Sequence, residues 1–227
     1  MRKRILATLA TLTLIPLAAC SRPGTTSDET SYQIDEAVTA LVVDARAAAV
    51  TIEAADGPIK VREVHRYSDG KPVTSHAVAG GTLTLTESGC GNDDVRCEVQ
   101  FHVRMPAATS TRITGQAGAV KIVGMAGDVQ VSTQAGAVEG KALTGDQVDV
   151  QSRAGAASLE FAEAPLNVNA VTQVGAISVH VPGDRAYAVD AGTKAGATKV
   201  SVRKDAASRH HINARTDVGA IEIEPLP

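Results

Sequence analysis

Val148-Asp149-Val150-Gln151-Ser152-Arg153-Ala154-Gly155-Ala156-Ala157-Ser158-Leu159-Glu160 alternates aliphatic and polar residues on both sides of one glycine. Val148 and Val150 stand seven and five before Gly155, and Ala157 and Leu159 two and four after it, with Asp149, Gln151, Ser158 and Glu160 at the neighbouring positions. Alternation with period two sends one set of side chains to a buried face and the other to water, so the stretch predicts two short strands joined by a tight bend. Glycine suits the bend because it admits positive φ and a close approach of neighbouring backbone.

The same unit recurs. Gly-Ala pairs begin at Gly118, Gly136, Gly155, Gly175, Gly196 and Gly219, spaced 18, 19, 20, 21 and 23 residues apart. In the four flanking columns 21 of 24 positions are aliphatic, about twice what a 44% hydrophobic chain would place there by chance. A unit of about 20 residues cannot bury its aliphatic face alone, so successive units are expected to stack, strand on equivalent strand about 4.8 Å apart. The expected fold is all-β: a single-domain, β-helix-like β-solenoid of about six to seven short rungs, with regular repeats over 111–225. Pro225 and Pro227 close the array and are expected to blunt the free edge of its last rung.

The first half is less regular. Leu41, Val43, Val50 and Ile52 flank Ala48 at the repeat's own spacing, a degenerate copy with alanine in place of glycine. The alternating runs 59–62, 82–86 and 97–103, separated by Gly-rich or acidic turns, read as hairpin strands. They are expected to pack beside or across the first rungs as an irregular cap.

Arg2, Lys3 and Arg4, an apolar run from Ile5 to Leu17, and Leu17-Ala18-Ala19-Cys20 read as a secretory leader over 1–19 that ends in a lipobox-like sequence. The run is shorter than the roughly 20 residues a spanning helix needs. Lipidation at Cys20 and a flexible tether over 20–34 would then carry a domain over 35–227, outside the cytoplasm and anchored to a bacterial cell membrane. Loss of the leader takes the formal charge from −3 to −6. In that compartment Cys90 and Cys97 are most simply a disulfide closing a small loop; free thiols are the alternative, and a zinc site lacks further ligands at suitable spacing.

Composition excludes several roles. Two Phe, three Tyr and no Trp leave little for stacking sugars or bases, and the negative charge disfavours nucleic acid. Gly115, Thr133, Ser152, Thr172, Thr193 and Thr216, three before each glycine, read as a structural hydroxyl column. Six before each glycine stand Arg112, Gln130, Asp149, Asn169, Asp190 and Asn213. Amide and carboxylate ladders stabilise stacked sheets, and the calcium-binding nonapeptide repeat is absent, so no metal or other cofactor is expected. Gln130, Asp149, Asn169, Asp190 and Asn213 are the candidate interaction face.

No nucleophile elbow, phosphate loop or metal-type His pair occurs. His210 and His211 are adjacent, and on a strand would point to opposite faces. An enzyme reading would rest on Asp149, Asp190, Lys199 and Arg215, imitating the outer-face carboxylates and bases of β-helical lyases and glycosidases.

The leader, the early Ala48-centred segment, the strand-rich middle and the run of Gly-Ala repeats together resemble the bacterial putative-adhesin family, β-strand-repeat domains of unknown function, over roughly residues 35–225. That resemblance implies a β-solenoid in the envelope or on the cell surface and carries no catalytic residue. The expectation is an envelope lipoprotein, not an enzyme, whose domain is an adhesion or protein-interaction surface. The alternative is a carbohydrate-active β-helix enzyme using outward carboxylates. A protein partner is favoured over a glycan, the membrane is met through the lipid on Cys20, and the oligomeric state is open.

Overall fold

A computed structural model describes residues 25–68, 70–89 and 97–226. Among these the chain is all-β, nineteen strands with no helix. The irregular half holds β1 (Thr26–Ile34), β2 (Ala40–Ala54), β3 (Ile59–Tyr67), β4 (Thr74–Ala79), β5 (Thr82–Glu87) and β6 (Glu98–Met105). The repeats follow as strand pairs: β7 (Ser110–Ala117) with β8 (Val120–Val123), β9 (Val129–Ala135) with β10 (Val138–Leu143), and β11 (Gln147–Ala154) with β12 (Ala157–Phe161). Next come β13 (Asn167–Val174) with β14 (Ile177–Val181), β15 (Ala186–Ala195) with β16 (Thr198–Val200), the short β17 (Arg203–Lys204), and β18 (His211–Val218) with β19 (Ile221–Pro225).

Within each pair the two strands meet at one of the six glycines, all with φ between +132° and +155°. First strands join first strands and second strands join second strands, always parallel, so each passage of the chain adds one strand to each of two ladders. Direct pairings connect all nineteen strands into one sheet. The aliphatic columns point inward: Val148, Val150, Ala157 and Leu159 are all buried, as are their equivalents in β7 to β14. Where Gly140 interrupts a column, the chain bulges, Ala142 takes φ 49° and the Leu143 side chain folds into the space beside Leu159.

The order of the strands departs from the order of the sequence. β13 pairs with β18, and β14 with β19; β15 and β16 lie beyond them. The last repeat is therefore inserted between the two that precede it. The terminal edge belongs to β15 and β16, and Pro225 is in register with Val181 of β14. The expected sequential stack, with Pro225 at the free edge of the array, is corrected accordingly; Pro227 lies outside the described residues. The connection 201–210 crosses that end, with Val202 and His210 buried and β17 paired to the start of β15.

A matching insertion occurs at the other end. β2 bends at Ala48 and is flanked by β5 and β6 on one side and by β7 and β8 on the other. Beyond β6 lie β3 and then β1, and beyond β5 lies β4, all antiparallel. Residues 26–34, expected to be tether, instead form a nine-residue strand in register with β3. The buried Glu87 carboxylate accepts the Arg46 and Ala47 backbone N–H groups at 2.9 and 2.7 Å, satisfying donors at the bend of β2.

Candidate functional site

The outer face of the first ladder follows from alternation: if Val148 and Val150 point inward, Asp149 must point outward. Strand order then decides its neighbours. Across the ladder run Arg112, Gln130, Asp149, Asn169, Asn213 and Asp190, each in register with the next. Asn169 Nδ2 donates to Asp149 Oδ1 at 2.9 Å, and Asn213 Nδ2 donates to Asn169 Oδ1 at 2.6 Å. Arg215 Nε donates to Asn213 Oδ1 at 3.3 Å and its guanidinium pairs with Asp190. Asp149, Asn169, Asn213, Arg215 and Asp190 thus form one bonded chain, placed there by the inserted last repeat.

Two shallow concavities open on this face. One of about 630 Å³ involves Arg112, Asp128, Gln130, Asp149 and Asn169; the other, of about 510 Å³, involves Asp44, Gln116, Gln134, Arg153 and Gln173. Asp128, one position before the aliphatic column, was not singled out by the sequence pattern because its column holds no repeated residue type.

Of the residues of the enzyme reading, Arg215 and Asp190 meet as an ion pair, but the two carboxylates are kept apart and Lys199 is elsewhere. Asp149 and Asp190 are separated by two intervening strands, three steps of about 4.8 Å or about 14 Å, beyond the roughly 5–10 Å of a glycosidase carboxylate pair. Lys199 lies around the glycine corner on the second ladder, paired with Glu224 at 2.5 Å. Among the described residues no group of three or more His, Cys, Asp and Glu is arranged to hold a metal. His210 is buried, its Nδ1 2.7 Å from the Pro165 carbonyl oxygen, whereas His211 is exposed. In the hydroxyl column, Thr172 and Thr216 donate to the carbonyls of Gly155 and Gly175 at 3.3 and 3.1 Å.

One polar cluster escaped the sequence reading. Glu63 and His65 occupy inward positions of β3, continuing the Ile59–Val61 alternation, and both are buried. Glu63 accepts from Tyr32 Oη at 2.5 Å and from Thr74 Oγ1 at 2.7 Å, and His65 Nε2 lies 3.3 Å from its carboxylate. Burial, reinforced by the Glu63 carboxylate, pushes the Tyr32 hydroxyl far above the usual phenol range. Two ionisable residues where the pattern calls for aliphatics were the available signal. Cys97 is half-buried immediately before β6, while Cys20 and Cys90 lie outside the described residues.

No protein-family model matches the chain, and no curated protein matches it. Solved structures do. A putative cell adhesion protein from Clostridium sporogenes is 14% identical, with a TM-score of 0.57 over 88% of this chain and 100% of its own. A putative adhesin from Bacteroides fragilis is 15% identical, with a TM-score of 0.52 over 90% of this chain and 99% of its own. At such identities the likeness is one of fold.

Proposed function

We propose that this chain, which shares the fold of bacterial proteins described as adhesins, is an envelope lipoprotein whose domain is a non-catalytic adhesion or protein-interaction surface. In this reading residues 1–19 are the leader, Cys20 carries the lipid, Cys90 and Cys97 form a disulfide, and the two ladders are the walls of a β-solenoid bent at Gly118, Gly136, Gly155, Gly175, Gly196 and Gly219. The observation that carries the proposal is the polar face from Gln130 to Asp190, side-chain bonded from Asp149 onward, an extended surface suited to protein contact. A protein partner is favoured over a glycan because Phe101, Phe161 and Tyr187 are all fully buried, which leaves the face without an aromatic platform.

The test is capture from the producing cell's envelope fraction on the immobilised protein, beside a variant with Asp149, Asn169 and Asp190 replaced together by alanine. A protein retained by the first and lost from the second supports the reading; capture that is indifferent to the triple replacement overturns the assignment of the face. Anchoring is read separately. Cys20→Ala should move the protein from the detergent phase to the aqueous phase, and continued detergent partition would remove the lipid from the proposal.

A further inference from the structure

The outer face of β1, β3 and β6 at the cap carries a different chemistry. Ser31, Arg62 and His102 stand in one register row and Gln33, Lys60 and Arg104 in the next. They border a concavity of about 460 Å³ floored by Tyr32 and Val61. Lys60 and Arg104 are directly opposed across an antiparallel pair, an arrangement in which like charges are destabilising. Elsewhere on the same strands the charges are matched: Arg66 faces Glu98 at 3.9 Å, and Arg62 meets Glu29 at 3.3 Å. Lys60 and Arg104 make no ion pair among the described residues. Glu53, in register with Arg104 on its other side, stays beyond ion-pair reach, and Asp35 is taken by the Gln33 amide at 2.5 Å.

We infer that this concavity binds a phosphate-type oxyanion, with Lys60, Arg62 and Arg104 supplying charge and Ser31, Gln33 and His102 hydrogen bonds. The four side chains of β3 and β6 rise from a backbone rectangle of about 5 by 7 Å, close enough for one tetrahedral anion to reach several of them. Arginine and lysine on neighbouring strands are the donors such oxygens take. Burial, assisted by Arg62 and opposed by Glu53 and Glu29, lowers the His102 pKa, so an arriving anion would favour its protonation. The phosphate has two sources, a free phosphate ester or a lipid headgroup. The second rests on the anchoring reading, in which Cys20 precedes Thr26 of β1 by six residues and holds this end of the domain near the membrane.

The experiment follows the His102 imidazole by NMR through a pH titration of the full chain in neutral dodecyl maltoside micelles, at constant ionic strength. Inorganic phosphate is compared with chloride, and a third arm replaces phosphate with phosphatidylglycerol mixed into the micelles. The expected result is a rise in the His102 midpoint on the order of half a pH unit or more, absent from the other histidines and abolished in Lys60→Gln/Arg104→Gln. A rise with phosphate alone identifies a soluble ester, and a rise with phosphatidylglycerol alone identifies a headgroup. An equal midpoint in all three arms overturns the site, as does a rise that persists in the double variant. Both substituted side chains are exposed and the opposed like charges are relieved, so the variant should melt no lower than the parent.

Discussion

The carbonyl oxygen of Gly136 occupies the space that a Cβ on Gly155 would need, and Gly155 itself sits at φ +148°. Gly136 stands in the same relation to Gly118, and Gly219 to Gly175, so each bend rests on the backbone of the strand pair beneath it. Gly155→Ala should therefore cost about 3 kcal/mol or more, combining the left-handed penalty with backbone displacement. Gly57, at φ +92° with open space around it, isolates the first term; Gly57→Ala should cost about 1 kcal/mol. Urea unfolding of the two variants checks the difference, and equal midpoints would refute close stacking at the bend.

The inserted last repeat sets an order of protection. Amides of β18 and β19 are flanked by strands on both sides, whereas β15 and β16 are flanked on one side over most of their length. Inward positions of the edge pair are also less covered, since Val189, Ala191 and Val200 are only partly buried. Hydrogen exchange should release 188–200 before 211–223. Faster exchange in the C-terminal repeat would restore the sequential order.

Asn169 links Asp149 to Asn213. Two side-chain hydrogen bonds at about 0.5–1.5 kcal/mol each put Asn169→Ala at roughly 1–3 kcal/mol. Gln130 occupies the same column without a side-chain bond of this kind, and Gln130→Ala should stay within about 0.5 kcal/mol. Denaturation midpoints that do not separate the two would mean that the bonded chain adds nothing to stability.

The three tyrosines and absence of tryptophan make alkaline titration easy to read. Burial and Glu63 raise Tyr32, a hydrogen bond to Asp28 raises Tyr67, and burial pushes Tyr187 to about 12. At pH 10.5 the unfolded chain would be about three-quarters ionised at its tyrosines, while the folded protein should show clearly less phenolate absorbance. A folded pKa above the unfolded one means stability is fully present below about pH 10 and declines as pH rises past it. Phenolate at the unfolded chain's level at about pH 10.5, with the circular dichroism signal intact, would contradict these environments.

Much of this architecture can be read from residues 111–225, where every second side chain around each glycine declares its face. Gly140 looked like a defect in its column, because its substitute, Leu143, reaches the core only through a bulge. β1 was illegible for a different reason: in Thr26–Ile34 only Ile34 is fully buried, with Tyr32 partly so, and the strand is specified by register with β3 rather than by its own pattern. The Glu63 cluster depended on Tyr32 and Thr74 arriving from other strands. The polar column was visible, but its bonding was not, since Asn213 meets Asn169 only through the insertion.

Sequence alone determined the repeating unit, because alternation and a glycine that opens to positive φ are local requirements that each repeat meets by itself. It did not determine which unit lies beside which. All the repeats present similar aliphatic columns and the same backbone donors and acceptors, so many stacking orders satisfy the local rules equally. Tertiary structure made that choice at both ends, where β2 and the β18–β19 pair each fill a slot between two other strand pairs. The physical reason is closure: an inserted strand finds hydrogen-bond partners on both sides and buries its aliphatic residues fully, leaving β15 and β16, partly covered by 201–210, to form the edge.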